Sequence, residues 1–311
     1  MQDSTLAKTA TTFTTLTDGG IETALVDRLG QDLPEFAAFV LLDSRAGREA
    51  LHEYYRPFIA LAAQRGLPLV LDTATWRANA DWGTLLGYDA EALARVNQDA
   101  VALVRDTIEE IVAPDADAPD VVVNGCVGPR FDEYVAEERM TADEAELYHA
   151  PQVRALAEAG ADRVTSVTTL DAAEAIGVVN AATAARVPSA VSFIVEPNGR
   201  LADGSTIAEA IAAVDAATDR AAAGFLLNCA HPSEARVGLA EVAGAPELER
   251  LIGFRLNASR AGDEGIGDDP ETFAGAEAEL LSLAPNAAIL GGCCGTDTAH
   301  IASLAGHTRA N

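Results

Sequence analysis

The chain has 311 residues, of which 49% are hydrophobic and 22% are charged, a composition typical of folded globular proteins. Its 48 acidic and 21 basic side chains leave a formal net charge of −27 at pH 7. Such a charge repels nucleic acid and the anionic face of a membrane, and no apolar stretch reaches the roughly 20 residues of a membrane-spanning helix. We therefore expect neither nucleic acid nor membrane as a partner.

The first residues and the cysteine usage indicate a compartment. Residues 1–16 contain one lysine and lack the apolar core of a secretory signal. The four cysteines show no paired spacing of the kind that builds a disulfide framework. We therefore expect a cytoplasmic protein with reduced thiols, and the sequence leaves open whether it forms a homo-oligomer.

Short runs with strand character recur along the chain, and each is separated from the next by a segment with helical character. Eight such runs are predicted to be strands, at residues 11–18, 68–75, 120–128, 163–169, 187–195, 223–230, 251–259 and 286–293.

The intervening segments contain helix signals. One of them starts at the N-cap Thr141, has the capping-box residue Glu144, and ends at Gly160. Apolar residues recur at spacings of three and four in segments 89–112 and 205–224. We therefore predict helices in all three segments.

Strand and helix alternate throughout, which favours a parallel sheet in the α/β class. Eight strand-helix units close naturally into a (β/α)8 TIM barrel, and no linker-like stretch divides the chain. We predict a single barrel domain over residues 1–311, with a doubly wound open sheet as the alternative. The additional length before the second and third strands is expected to form loops or helices at one end.

Three of the four cysteines fall at predicted carboxyl ends of strands. Cys229 ends the sixth strand run, and Cys293 and Cys294 end the eighth. In a parallel barrel these strand ends share one mouth, where active sites are built. Three thiolates meeting there would bind a soft or borderline metal, with Zn²⁺ as the first candidate. Three protein ligands leave one coordination position open, which is typical of catalytic zinc.

An open position beside three thiolates indicates chemistry on a thiol. A substrate thiol bound there would lose its proton, and the thiolate is the nucleophilic form that could attack an activated methyl group. A zinc hydrolase is a weaker interpretation, because no glutamate base stands beside these cysteines. A non-catalytic zinc-storing or redox-sensing protein is a further alternative.

Other residues near these positions have simpler interpretations. Cys126 is interpreted as a packing residue, and His231 and His300 are not needed as ligands because three cysteines suffice. Trp76 and Trp82 follow the second strand near the predicted mouth. Either they pack locally, or they form a wall on which a cationic methyl donor rests against an indole face.

Motifs after most of the predicted strands resemble those of the homocysteine S-methyltransferase family. The similarity covers nearly the whole chain and is most specific where the asparagine-cysteine pair is combined with the final double cysteine. The matching motifs are TDGG, DTATWRA, NGCVGP, GRLADGSTIAEAI, LNCAHP and GGCCGTDTAHI. The resemblance implies a zinc-binding (β/α)8 barrel whose metal ligands are Cys229, Cys293 and Cys294.

The resemblance also implies substrate-binding residues. Asp18 matches an aspartate that binds the substrate amino group, and the amides of Gly19 and Gly20 lie where the family holds the substrate carboxylate. Asn228 matches an asparagine beside the first zinc ligand, where its side chain could orient the metal ligands.

One position departs from the family pattern. After the fourth strand the family usually has a Glu-Thr pair whose glutamate contacts the substrate ammonium, whereas this chain has Val167 and Thr168. No acidic residue elsewhere in this strand run restores the carboxylate. The acceptor therefore stays open between homocysteine and another small thiol, in a pocket reshaped by Glu22, Asp72 or Arg77.

We expect a zinc-dependent enzyme that transfers a methyl group from a small activated donor to a zinc-bound thiol. The donor is S-methylmethionine, S-adenosylmethionine or a betaine, and homocysteine is the first choice of acceptor, which would place the reaction in methionine biosynthesis. The same chemistry on a different small thiol is the alternative.

Overall fold

The computed structural model describes residues 15–112, 119–131, 139–260 and 267–307. Within these residues, eight parallel strands form a closed barrel in chain order. The strands are β1 (Thr15–Thr17), β2 (Leu69–Asp72), β3 (Val121–Val127), β4 (Arg163–Thr169), β5 (Ser189–Phe193), β6 (Phe225–Asn228), β7 (Leu251–Leu256) and β8 (Ile289–Gly292).

Pairing between the first and last strands closes the barrel. Thr15 of β1 is in register with Ile289 of β8, and Leu16 is in register with Leu290. This closure confirms the (β/α)8 prediction and excludes the open doubly wound sheet. Each predicted strand run contains one observed strand, although residues 11–14 of the first run lie outside the described part of the chain.

Helices surround the strands. In the described residues these are α1 (Ile21–Asp27), α2 (Arg45–Arg65), α3 (Ala80–Leu85), α4 (Ala90–Ile111), α5 (Ala142–Glu158), α6 (Ala172–Ala185), α7 (Ile207–Ala217), α8 (Pro232–Glu241), α9 (Pro270–Leu280) and α10 (Thr298–Gly306). None of them is both long enough and apolar enough to cross a bilayer.

Two of the three helix predictions agree closely with the structure, and the third is too long. Thr141 caps α5 with the expected capping box to Glu144, and Asp89 caps α4. The predicted segment 205–224 contains α7, but that helix ends at Ala217. The chain then turns through Asp219 and Arg220, which both have positive φ, so the helical hydrogen-bonding pattern stops before the predicted end.

The core lies in two layers, inside the barrel and between the barrel and its helices. Phe193 of β5 and Phe225 of β6 are fully buried and stack with ring centroids 5.9 Å apart.

Between β1 and β2 the chain forms α1, two short 3₁₀ helices (Pro34–Phe36 and Ala38–Asp43) and α2, as the added length predicts. Phe36, from the first of these 3₁₀ helices, reaches the pocket described next.

Candidate active site

The three cysteines predicted as metal ligands lie together at the carboxyl ends of the strands. Cys229 follows β6, and Cys293 and Cys294 follow β8. Their sulfur atoms all lie within 4.8 Å of one another, with Cys229 Sγ 3.8 Å from Cys294 Sγ. Among the described residues, no other group of three His, Cys, Asp or Glu side chains is arranged closely enough to hold a metal.

The backbone after β6 and β8 is tied to β7, which fixes the spacing of the cysteines. The amide of Cys229 donates to the carbonyl of Arg255 at 3.2 Å, and the amide of Cys293 donates to that of Leu256 at 2.8 Å. Cys229 has φ of +55°, a left-handed conformation that few non-glycine residues adopt and that is often held at functional sites.

Asn257, directly after β7, bridges the two halves of the cluster. Its Oδ1 accepts a hydrogen bond from the amide of Cys294 at 3.0 Å, and its Nδ2 lies 3.8 Å from Cys229 Sγ. Side chains that contact metal ligands in this way orient them and tune their basicity. Sequence reasoning assigned this role to Asn228, whereas Asn257 is the asparagine that contacts a cysteine sulfur.

The cysteine cluster is electrostatically suited to a cation. Hydrogen bonding to Cys229, together with burial, raises the pKa of Cys293 to about 12. Hydrogen bonds to Cys229 and Cys293 raise the pKa of Cys294 well above its usual range, and burial acts in the same direction. Thiolates crowded together repel one another, and a bound metal cation offsets that repulsion as it displaces the protons. Three soft sulfur ligands therefore fit a metal such as zinc.

The cluster opens into a pocket that is partly exposed to solvent, and the empty space there is about 580 Å³ when the open solvent at its mouth is included. Four of the predicted substrate-binding residues, Gly19, Gly20, Trp76 and Asn228, line this pocket beside the three cysteines. Asp18, the fifth, is fully buried and is not part of the wall. The structure thus brings nearly all of the predicted site to one cavity.

Arg255 of β7 forms a salt bridge with the carboxylate of Asp18. Its Nη2 donates to Asp18 Oδ1 at 2.6 Å, and its Nη1 donates to Asp72 Oδ2. Burial opposes the charge of Arg255, but Asp72 and Asp18 keep its pKa well above the usual value. Burial raises the pKa of Asp18 to about 8; Arg255 opposes this effect and Asp72 adds to it. Arg255 was not among the residues identified from the sequence.

A second polar set extends from this ion pair into the barrel. Tyr54 donates to the carbonyl of Gly19 at 2.8 Å and lies 3.3 Å from Asp18 Oδ2. Asn124 donates to Asp72 Oδ1 at 2.6 Å and accepts from Arg163 Nε at 2.9 Å. Two arginines, Arg255 and Arg163, therefore accompany the two carboxylates.

Residues at the end of β4 form another wall of the pocket. Thr168 has φ of +55°, and its amide donates to Asn228 Oδ1 at 3.0 Å. Trp76 Nε1 donates to Thr168 Oγ1 at 2.7 Å, which fixes the indole against this strand end. Val167 is buried and also lines the pocket, so this wall is apolar at the position where the family has a carboxylate.

The remaining candidates divide between the pocket and other contacts. Glu22 lines the pocket, and burial raises its pKa to about 8. Cys126 is buried, as a packing residue should be, and it also lines the pocket. Arg77 lies with its guanidinium 3.9 Å from the ring centroid of Trp82, outside the pocket wall.

The two histidines close to the cysteines in sequence have other partners. His231 Nε2 lies 3.0 Å from Asp268 Oδ2, and His300 Nδ1 lies 2.8 Å from Asp297 Oδ1. Both histidines lie at the starts of helices, His231 as the N-cap of α8 and His300 in the first turn of α10.

A parallel (β/α)8 barrel with a triple-cysteine cluster at its mouth is an enzyme architecture, and the cluster fits a metal site. The profile of the family described as "Homocysteine S-methyltransferase" matches residues 15–308. The chain therefore belongs to the homocysteine S-methyltransferase family, and it is a thiol S-methyltransferase.

Individual relatives agree with this assignment. The homocysteine S-methyltransferase of Escherichia coli (strain K12) is 25% identical over 308 residues, which cover 93% of each chain. The metallated crystal structure of the homocysteine methyltransferase MmuM from Escherichia coli superposes with a TM-score of 0.74 at 24% identity, covering 94% of this chain and 96% of that one. Its apo form gives a TM-score of 0.69 at 23% identity, covering 97% and 98%.

Proposed function

We propose that this chain is a zinc-dependent methyltransferase that moves a methyl group from a small activated donor to the thiol of homocysteine or of a closely related acceptor. The donors considered are S-methylmethionine, S-adenosylmethionine and a betaine, and with homocysteine the product is methionine. The observation that carries this proposal is the triple-cysteine cluster opening into the partly exposed pocket at the mouth of the family barrel.

The proposed metal ligands are Cys229, Cys293 and Cys294. When bound, zinc would supply a cationic site at which an acceptor thiol is held as its nucleophilic thiolate. The chain's own part is to hold the three sulfur atoms at fixed spacing, which the β7 backbone and Asn257 do.

The proposed substrate contacts follow from the pocket wall. The backbone of Gly19 and Gly20 and the side chain of Asn228 face the acceptor, and Trp76 provides an aromatic surface for the donor. A cationic sulfonium or ammonium donor gains attraction from an indole face, and the hydrogen bond to Thr168 keeps that indole in place. We propose that Asp18 holds Arg255 in place and does not contact the substrate itself, because Arg255 Nη2 donates to its carboxylate.

We further propose that residues 1–311 act as one domain in the cytoplasm. The four cysteines are all free thiols, and a reducing compartment would keep the three ligand thiols available for metal.

Metal and thiol binding test the proposal together. The reduced protein should bind about one equivalent of zinc, and with cobalt in its place homocysteine should change the sulfur-to-metal charge-transfer band. Each donor is then supplied, and the methylated product is identified by mass spectrometry. Cys229→Ser should lose metal, whereas Cys126→Ser, which alters a buried thiol outside the cluster, should retain it. Full zinc binding by Cys229→Ser would contradict the ligand assignment.

A further inference from the structure

The acids that could bind a substrate ammonium in this pocket already hold a cation from the protein itself. Arg255 places one terminal nitrogen on Asp18 and the other on Asp72, so a single guanidinium bridges both carboxylates. Asp18 is completely buried, and Asp72 is 4% exposed. A substrate ammonium would have to displace a doubly paired, buried arginine to reach Asp18, and that exchange is costly.

Both acids of this pair have arginine neighbours without a ligand. Arg255 contacts both acids directly, and Arg163 joins the same network through Asn124. Two arginine side chains therefore accompany Asp18 and Asp72, and of these four residues Asp72 and Arg255 line the pocket. An added ammonium at this end would be a further positive charge beside Arg255.

Two buried nitrogen atoms of the described pocket wall lack a hydrogen-bond partner, and both are donors. They are Arg255 Nε and Asn228 Nδ2, on residues that are 9% and 1% exposed. The amide orientation of Asn228 is fixed, because its Oδ1 accepts from the amide of Thr168 at 3.0 Å and from the hydroxyl of Ser192 at 2.7 Å. Nδ2 is therefore the atom left to donate.

Unsatisfied buried donors favour a ligand that brings acceptor atoms and disfavour one that brings more donors. A carboxylate has two oxygens with about four acceptor sites and no proton to donate, so it complements both nitrogens. An ammonium has three donors and no acceptor, and would leave both nitrogens unpaired. Val167, on the adjacent wall, offers it no acceptor side chain.

We propose that the preferred acceptor is a short aliphatic thiol that carries a carboxylate and no ammonium group, with the carboxylate on Arg255 and Asn228. This inference rests on the proposed function, since the acceptor thiol must also reach the cysteine cluster. In structural terms the acceptor is the homocysteine skeleton without its amino group, and Arg255 is the residue that determines this specificity.

Glu22 is the remaining acid of the described wall, and it provides the competing explanation. It lines the pocket beside the cysteines, and none of the described hydrogen bonds joins its side chain to Arg255. If an ammonium binds in this pocket, Glu22 is the carboxylate that would hold it. The Glu22→Gln variant therefore belongs in the test.

Three matched thiols test the proposal on the reduced, cobalt-loaded protein. They are 4-mercaptobutanoate, homocysteine, and propane-1-thiol, which has neither carboxylate nor ammonium. Dissociation constants come from the charge-transfer band and from calorimetry, and each is corrected for the pKa of the free thiol. We expect 4-mercaptobutanoate to bind at least about tenfold more tightly than either of the others.

Variants identify the residues responsible. Asn228→Asp is nearly isosteric and keeps the accepting Oδ1 but removes the donor, so it should lower the affinity ratio of 4-mercaptobutanoate to propane-1-thiol by about tenfold. The double variant Asp72→Asn/Arg255→Gln removes one acid together with the guanidinium and leaves Asp18 available, so it should shift preference toward homocysteine. If the double variant does not fold, Arg255→Lys keeps a positive charge beside the acids but removes Nε, so it should lower the affinity ratio of 4-mercaptobutanoate to propane-1-thiol.

The outcomes separate this inference from the proposed function. If homocysteine binds at least as tightly as 4-mercaptobutanoate and Glu22→Gln removes that affinity, the specificity proposal is wrong while methyl transfer to a thiol stands. If none of the three thiols reaches the metal and none is methylated, both proposals fail. Preference for 4-mercaptobutanoate that depends on Arg255 and Asn228 supports both.

Discussion

At the scale of single residues, the site depends on backbone positions that most side chains avoid. Thr168 and Cys229 both have φ of +55°, and Thr168 is β-branched, which makes this conformation costly. Each is held by neighbours, Thr168 by Asn228 and Trp76, and Cys229 by the carbonyl of Arg255. The surrounding hydrogen bonds thus impose the conformations that aim these residues at the pocket.

Gly20 is needed where the β1 loop approaches the cysteines. A Cβ built on Gly20 would lie 2.5 Å from the carbonyl oxygen of Cys293 and 2.7 Å from Thr23 Oγ1. Gly20→Ala should therefore displace the Cys293 loop and weaken zinc affinity by about tenfold or more, as changes behind metal ligands do. Competition with a chromophoric chelator measures this effect.

The matched control for Gly20 is Gly275 in α9. A Cβ at Gly275 meets no heavy atom within 4 Å, so Gly275→Ala should leave zinc affinity unchanged. It should also stabilise the helix by about 0.5–1 kcal/mol, because alanine loses less backbone entropy than glycine. Wild-type zinc affinity in Gly20→Ala would show that the loop tolerates a methyl group and that its close approach is not required.

At the scale of elements, local signals account for where helices begin. The Thr141 hydroxyl accepts from the amide of Glu144 at 3.3 Å, and the Glu144 carboxylate accepts from the amide of Thr141 at 2.8 Å. The same pattern recurs at Thr206 and Glu209 for α7. The position where a helix ends depends less on the local sequence. Helix α7 stops seven residues before the predicted Gly224, because the chain must turn to enter β6.

Removal of the cap of α5 should cost stability. Thr141→Ala deletes one half of the capping box and should lower the free energy of unfolding by about 1 kcal/mol, measured by urea denaturation. Thr141→Ser retains the accepting hydroxyl and should stay close to wild type. An equal loss in both variants would mean that the methyl group, rather than the cap, provides the stabilisation.

At the scale of the whole molecule, barrel closure joins residues that are far apart in sequence. The hydrogen bond from Arg255 to Asp18 spans 237 positions, and that from Arg255 to Asp72 spans 183. Both depend on β7, β8, β1 and β2 meeting around a closed sheet. The network of Arg255, Asp18 and Asp72 is therefore a property of the complete barrel.

The net charge of −27 should make stability depend on salt. Self-repulsion among exposed carboxylates destabilises the compact state, and added ions screen it. Raising sodium chloride from low concentration to 1 M at pH 7 should increase Tm by about 4 °C or more, on the order of 2 kcal/mol for a chain of this size. Thermal unfolding followed by circular dichroism measures the shift.

The control for this salt effect is pH. Near pH 4.3, the isoelectric point from the sequence, net charge approaches zero and the same salt addition should raise Tm by clearly less. An equal gain at both pH values would indicate that salt acts on apolar burial rather than on charge repulsion.

The sequence by itself determined the barrel and the cluster of three cysteines. Strand and helix periodicity, capping residues and glycines are local properties, so the eight strands and most helix starts were predictable from short windows. Cys229, Cys293 and Cys294 were also predictable, because each follows a strand and parallel strands end at one mouth.

Only the tertiary structure decided which charged groups meet in the pocket. Arg255 lies within an apolar strand and carries no local signal, and its partners are set by strand register and barrel closure. Asn257 was missed for the same reason, since its contact with Cys229 and Cys294 joins three strand ends. A motif predicts where a side chain leaves a strand, but pairing across the barrel decides which partner it finds.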